Sequence, residues 1–246
     1  MSAGHLTTEA TKEATKKGWT RLAPWLVAAV LALAIPAILL TKRRPAVDPL
    51  PRLGQVAAFT LVRESGAPLS SADLAGKVWV ADFVFLGCAQ SCPLLTTRMG
   101  HLANLLDEEG KKRGQALPVR LVSFTIDPTN DTPARLSDYA ARWHADPSMW
   151  AFATGSLADV QHVVADGFKV AFGKVDNGAG AFEMMHGNYF VLVDPSMQIR
   201  GYYSTDLPEE MNALTRDVVA LASGSGSSGK PGAASFAAAL AKGGQL

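Results

Sequence analysis

Cys88 and Cys92 are the only cysteines among 246 residues, and they stand four apart in the run VWVADFVFLGCAQSCPLLTTRM. Thiolates are redox nucleophiles and soft metal ligands, so such a pair has two chemical uses. Cysteines at this spacing around a helix start can bring their Cα atoms within the roughly 4.4 to 6.8 Å that a disulfide needs. A purely structural bridge is the competing use. Closing so short a loop removes little chain entropy, which favours redox or metal work without choosing between them.

The elements around the pair follow from periodicity. Val78, Trp79, Val80, Phe83, Val84 and Phe85 form an apolar, β-branched and aromatic run that reads as a buried strand stopping at Gly87. Pro93 suits the first helical position, and Leu94, Leu95, Met99, Leu102, Leu105 and Leu106 recur at spacings of three and four. These predict a helix from Cys92 or Pro93 to about Glu109, stopped by Gly110 before Lys111, Lys112 and Arg113. A helix start favours negative charge, so both sulfurs are expected to have lowered pKa values.

Composition limits the rest. A hydrophobic fraction of 48% supports one ordinary core, and a net charge of +1 gives no sign of a nucleic-acid partner. With one cysteine pair the chain is neither a disulfide scaffold nor a zinc array. Residues 1–21, with Glu9, Lys12, Glu13, Lys16, Lys17 and Arg21, read as a solvated arm. Leu22 to Leu40 is 19 residues without a charge, followed by Lys42, Arg43 and Arg44. At about 1.5 Å per residue that length matches a bilayer core of roughly 30 Å, so residues 22–41 are expected to be an uncleaved transmembrane helix, the alternative being a signal peptide with Ala32-Leu33-Ala34 as its cleavage site. Basic residues balance on its two sides, and the thiol pair argues for an extracytoplasmic domain. Pro45, Pro49 and Pro51 stiffen a linker over 42–52.

The globular domain is expected over 53–222. A strand at Phe59–Arg63 precedes the turn Glu64-Ser65-Gly66, and Ser70, Ser71 and Asp73 predict a helix cap. Val119–Ile126 is a second apolar strand, ending in Asp127-Pro128 and Asp131-Thr132-Pro133, where Thr132 and Pro133 open a helix through Trp143. Trp150–Ala153 predicts a short strand. Ser156 caps a helix with Val160, Val163, Val164 and Phe168 on one face, and glycines at 173, 178 and 180 predict a loop. Tyr189–Val193 and Ile199–Tyr203 form a hairpin across Asp194-Pro195, and Pro208–Leu221 is the last helix. Residues 223–246 read as a disordered Gly/Ser/Ala-rich tail. Strands alternating with helices, then a late hairpin, give an α/β fold: a thioredoxin-like domain with a central mixed sheet flanked by helices.

His186 ends the glycine-containing stretch, immediately before the Tyr189 strand. His5, His101, His144 and His162 occupy no comparable position. With Cys88-Ala89-Gln90-Ser91-Cys92-Pro93 after one strand, Asp127-Pro128 and Asp131-Thr132-Pro133 after the next, and His186 before Tyr189, the chain resembles the Sco (SCO1/SenC) family of respiratory copper assembly. The resemblance covers about residues 53–222 and includes the preceding anchor. It implies a copper chaperone in the inner (cytoplasmic) membrane, its domain on the periplasmic side, with Cys88, Cys92 and His186 as metal ligands. Two thiolates suit Cu(I), an imidazole also allows Cu(II), and three ligands leave a position open for a partner's ligand. The partners implied are a copper-receiving cytochrome c oxidase subunit or its assembly factors. Asp127 is expected either to hydrogen-bond beside the ligands or simply to stabilise the Pro128 turn. Met184 and Met185 replace the small or acidic residue expected before the histidine, and read as apolar filling.

Two rival functions compete. As an enzyme the chain would be a thiol-disulfide oxidoreductase with Cys88 and Cys92 as its redox-active pair, although three residues, not two, separate them. A peroxidase of the peroxiredoxin type would place Thr where Phe85 stands. As a redox or copper sensor it lacks any visible output domain.

Overall fold

The computed structural model describes residues 50–88, 91–170, 172–174, 182–184 and 188–224. The arm, the 22–41 anchor, the linker before Leu50, His186, Met185 and the tail beyond Gly224 lie outside the described residues. None of the described helices is long and apolar enough to cross a membrane.

In chain order the elements are β1 (Gly54–Gln55), β2 (Thr60–Arg63), β3 (Pro68–Ser70), α1 (Ser71–Leu74), β4 (Val78–Val84), α2 (Ser91–Arg113), β5 (Val119–Thr125), α3 (Pro133–Arg142) and β6 (Trp150–Thr154). They continue with α4 (Leu157–Gln161), a π-helical turn (His162–Gly167), β7 (Phe172–Lys174), β8 (Phe182–Met184), β9 (Tyr189–Val193), β10 (Gln198–Ser204) and α5 (Pro208–Ala222). Eight strands make one mixed sheet in the order β1-β10-β9-β4-β5-β6-β2-β3. The pairs β4–β5 and β5–β6 are parallel, while β4–β9, β9–β10 and β2–β6 are antiparallel.

Every residue of β4 is buried, as a central strand covered on both faces requires. Its alternation sorts the two cores. Val78 and Val80 face Leu95, Met99, Leu102 and Leu106 of α2 and Leu214 and Val218 of α5. Trp79, Ala81 and Phe83 face Leu74 of α1 and Val160, Val163, Val164 and Phe168.

Several boundaries differ from the sequence reading for identifiable reasons. Helix α2 runs through Gly110 to Arg113, and the stop is Gly114, whose φ of +71° is the left-handed conformation that ends helices. Gly110 serves the returning chain instead: a Cβ there would lie 3.1 Å from the Gln115 carbonyl oxygen. The Val160 helix is not uniform. It widens at His162, so that the Phe168 amide bonds to the Val163 carbonyl five residues back. The widened turn keeps Val163, Val164 and Phe168 all inward, with the Phe168 ring 5.3 Å from Phe83 and 5.7 Å from Trp79. The glycine-containing stretch is not all loop, because β7 and β8 pair as an antiparallel ribbon.

Candidate functional site

The ends of β4 and β5 deliver the site. The Ile126 amide donates to the Val84 carbonyl, carrying the parallel ladder to the last residue of β4. Beyond it Phe85–Cys88 turns, closed by the Cys88 amide on the Phe85 carbonyl at 3.2 Å. Helix α2 then begins at Ser91, one residue earlier than its Cys-Pro sequence suggests, so Cys92 stands in the first turn. The Cys92 amide donates to Cys88 Sγ at 3.4 Å, which brings the two cysteines together as their spacing predicts. No disulfide joins them.

Their environments are unequal. Cys92 is buried at 3% exposure, and Cys88 is half-buried. The expected lowering at the helix start does not hold for Cys92. Burial pushes its thiol up to about 12, the Phe85 backbone amide pulls the other way, and Cys88 and Asp82 raise it further. Desolvation outweighs the helix start because the side chain is buried and not at the surface.

Two buried groups form the floor beneath Cys92. Thr96 Oγ1 donates to the Cys92 carbonyl at 2.9 Å and shares a 2.7 Å hydrogen bond with Tyr139 Oη. Asp82 lies beside Ser123 in the β4–β5 register and is wholly buried. Neither of its carboxyl oxygens has a hydrogen-bond partner among the described residues. Burial raises its pKa to about 7, and the polar Ser123 side chain beside it opposes that rise without making a bond of hydrogen-bond geometry. Sequence reading missed Asp82, although an acid inside an unbroken apolar strand was the visible signal.

Asp127 lies at the carboxyl end of β5, as expected. Its amide donates to Thr125 Oγ1 at 3.0 Å, its Oδ2 accepts from Asn130 Nδ2 at 2.7 Å, and its carbonyl accepts from the Asn130 and Asp131 amides. Those are the contacts of a turn residue, yet its Oδ1 is buried without a hydrogen bond among the described residues. Asp131, read only as part of a motif, reaches back to the Cys88 loop and accepts from the Leu86 amide at 3.1 Å. Among the described residues no three His, Cys, Asp or Glu side chains form a group that could hold a metal ion, and the expected third ligand, His186, lies outside them.

A mixed sheet covered by helices on both faces, with a dithiol at the junction of a central strand and the following helix, defines a thioredoxin-like domain. The SCO1/SenC family model matches residues 49–222, and the chain belongs to that family. A SCO1/SenC family lipoprotein from Bacillus anthracis is 33% identical with a TM-score of 0.61, the match covering 71% of this chain and 98% of that one. BsSco, a member of the Sco family of cytochrome c oxidase assembly proteins for which a disulfide switch is described, is 30% identical with a TM-score of 0.58, over 72% and 97% of the two chains. A Stutzerimonas stutzeri protein named for copper binding is 26% identical over 167 residues, 68% of this chain and 76% of its own length.

Proposed function

We propose that this chain is a membrane-anchored copper carrier that binds copper through Cys88, Cys92 and His186 and assists copper-site assembly in a respiratory cytochrome c oxidase. The observation that carries the reading is the juxtaposed pair, with the Cys92 amide on Cys88 Sγ at 3.4 Å. Two sulfurs at one sheet edge are a soft donor set suited to Cu(I). Family membership supports copper as the cargo, as does the S. stutzeri relative named for copper binding. BsSco's membership of a family of oxidase assembly proteins supports the destination.

In this reading residues 22–41 anchor the chain in the inner membrane, 42–52 space the 53–222 domain from it on the periplasmic side, and 223–246 are a tail. A lipoprotein among the relatives is consistent with membrane attachment. Asp127 offers its buried Oδ1, which has no hydrogen-bond partner among the described residues, as an acceptor beside the ligands. Titrating residues 46–222 with Cu(I) tests the ligand set: wild type is expected to bind one equivalent tightly, and Cys88→Ser, Cys92→Ser and His186→Ala each to weaken binding at least tenfold, about the loss of one strong ligand contact. Binding indifferent to Cys92→Ser would eliminate the copper reading.

The unbridged, adjacent cysteines favour one second reading, thiol-disulfide exchange with partner cysteines. Insulin reduction by the reduced domain no faster than by free dithiol would remove it.

A further inference from the structure

The Cys88 loop hangs from one carboxylate in the segment after β5. Asp131 is fully buried at the start of the segment leading into α3, and its Oδ2 accepts from the Leu86 amide at 3.1 Å and from Thr125 Oγ1 at 2.6 Å. The end of β5 and the chain after β4 thus meet at one oxygen, and the Asp127 turn joins them one bond further on, its amide donating to Thr125 Oγ1 at 3.0 Å. Leu86 is flanked by groups that define both sulfurs. The Phe85 carbonyl accepts from the Cys88 amide, and Cys88 Sγ in turn accepts from the Cys92 amide. Fixing Leu86 therefore fixes both.

We propose that Asp131 is the positioning residue of the dithiol, holding the Phe85–Cys88 turn through Leu86 so that both sulfurs keep their places. What the role requires is an acceptor, not a charge. Asp131 Oδ1 is buried with no hydrogen-bond partner among the described residues, and burial raises the acid's pKa, so a neutral side chain of the same shape suits the position. Asparagine can place its oxygen on Leu86 and Thr125. Alanine leaves the Leu86 amide and the Thr125 hydroxyl without an acceptor, at a cost that opens the loop locally.

The inference concerns the site on which the copper reading rests, and its first readout needs no metal. In the full chain in detergent, the alkylation rates of Cys88 and Cys92 are followed separately by mass spectrometry. Asp131→Ala is expected to speed Cys92 alkylation about tenfold, the equivalent of one lost hydrogen bond, while Asp131→Asn stays within about threefold of wild type. Thr132→Ala, which removes the α3 cap on the adjacent residue without touching Leu86, controls for general loosening and should leave both rates unchanged. Cu(I) affinity should follow the same order, weakened by Asp131→Ala and spared by Asp131→Asn. Equal thiol rates in Asp131→Ala and wild type overturn the inference, as does Asp131→Asn behaving like Asp131→Ala. Should Asp131→Ala not fold, Thr125→Val decides it: the Cys92 rate should rise severalfold, and an unchanged rate counts against the proposal. A wild type that fails to bind Cu(I) while Asp131→Ala still unmasks Cys92 removes the copper reading and leaves the positioning role standing.

Discussion

At the scale of single residues the dithiol has buried polar neighbours. Asp82 is an acid that the fold prefers protonated: its ordinary pKa of 3.8 rises to about 7 in the folded chain. The folded state therefore holds a proton that the unfolded state has released over that interval, and stability falls as pH climbs from about 4 towards 7. At roughly 1.4 kcal/mol per unit the whole interval is worth about 4 kcal/mol. Asp131 and Asp217, also raised by burial, add slope in the same direction. Asp82→Asn is expected to flatten the fall in urea midpoint between pH 5 and pH 8 without abolishing it, and a slope equal to wild type would show that Asp82 does not hold the proton. Tyr139→Phe removes the partner of the Thr96 hydroxyl and should cost about 1 kcal/mol, read by the same denaturation.

At the scale of elements, local signals were strong wherever one residue had one job. Thr132 Oγ1 accepts from the Arg135 amide and Ser156 Oγ from the Asp159 amide, both as their sequences announce. Thr132→Ala should lower stability by about 1 kcal/mol. Glycines were harder, because the same residue type ends a helix or admits a neighbour. Gly201 is of the second kind: it sits at the irregularity between β10 and β9, where a Cβ would fall 2.6 Å from the ring of Tyr203. That ring is fully buried and its hydroxyl is tied to Asp217, so it has no room to yield. Gly201→Ala should destabilise the domain by about 1 to 3 kcal/mol through overpacking, seen as a lower Tm.

At the scale of the whole molecule, the described domain is tied at its beginning as well as its end. Leu50 is buried at 3% exposure. Arg200 on β10 donates to the Leu50 carbonyl, to the Pro51 carbonyl at 2.9 Å and to Asp194 at 2.8 Å. A chain starting at Leu53 loses the buried leucine and leaves the guanidinium with one partner. It should unfold at lower urea than one starting at Val47, by about 2 to 3 kcal/mol, and equal midpoints would show that the first residues add nothing.

The sequence by itself determined the alternation of strands and helices, the thiol pair at a strand-to-helix junction and the caps, because those are set by residue type and spacing within a few neighbours. The D-P-x-x-D-T stretch was legible as a motif, but its division of labour was not. Only the tertiary structure showed that Asp127 bonds within its own turn while Asp131 accepts from the Leu86 amide, since Leu86 and Asp131 are 45 residues apart in sequence and meet only when β4 and β5 lie side by side. The same holds for the chemistry of Cys92. A helix start argues for a lowered thiol pKa, but burial raises it, and burial is a property of the packed molecule that no local pattern records.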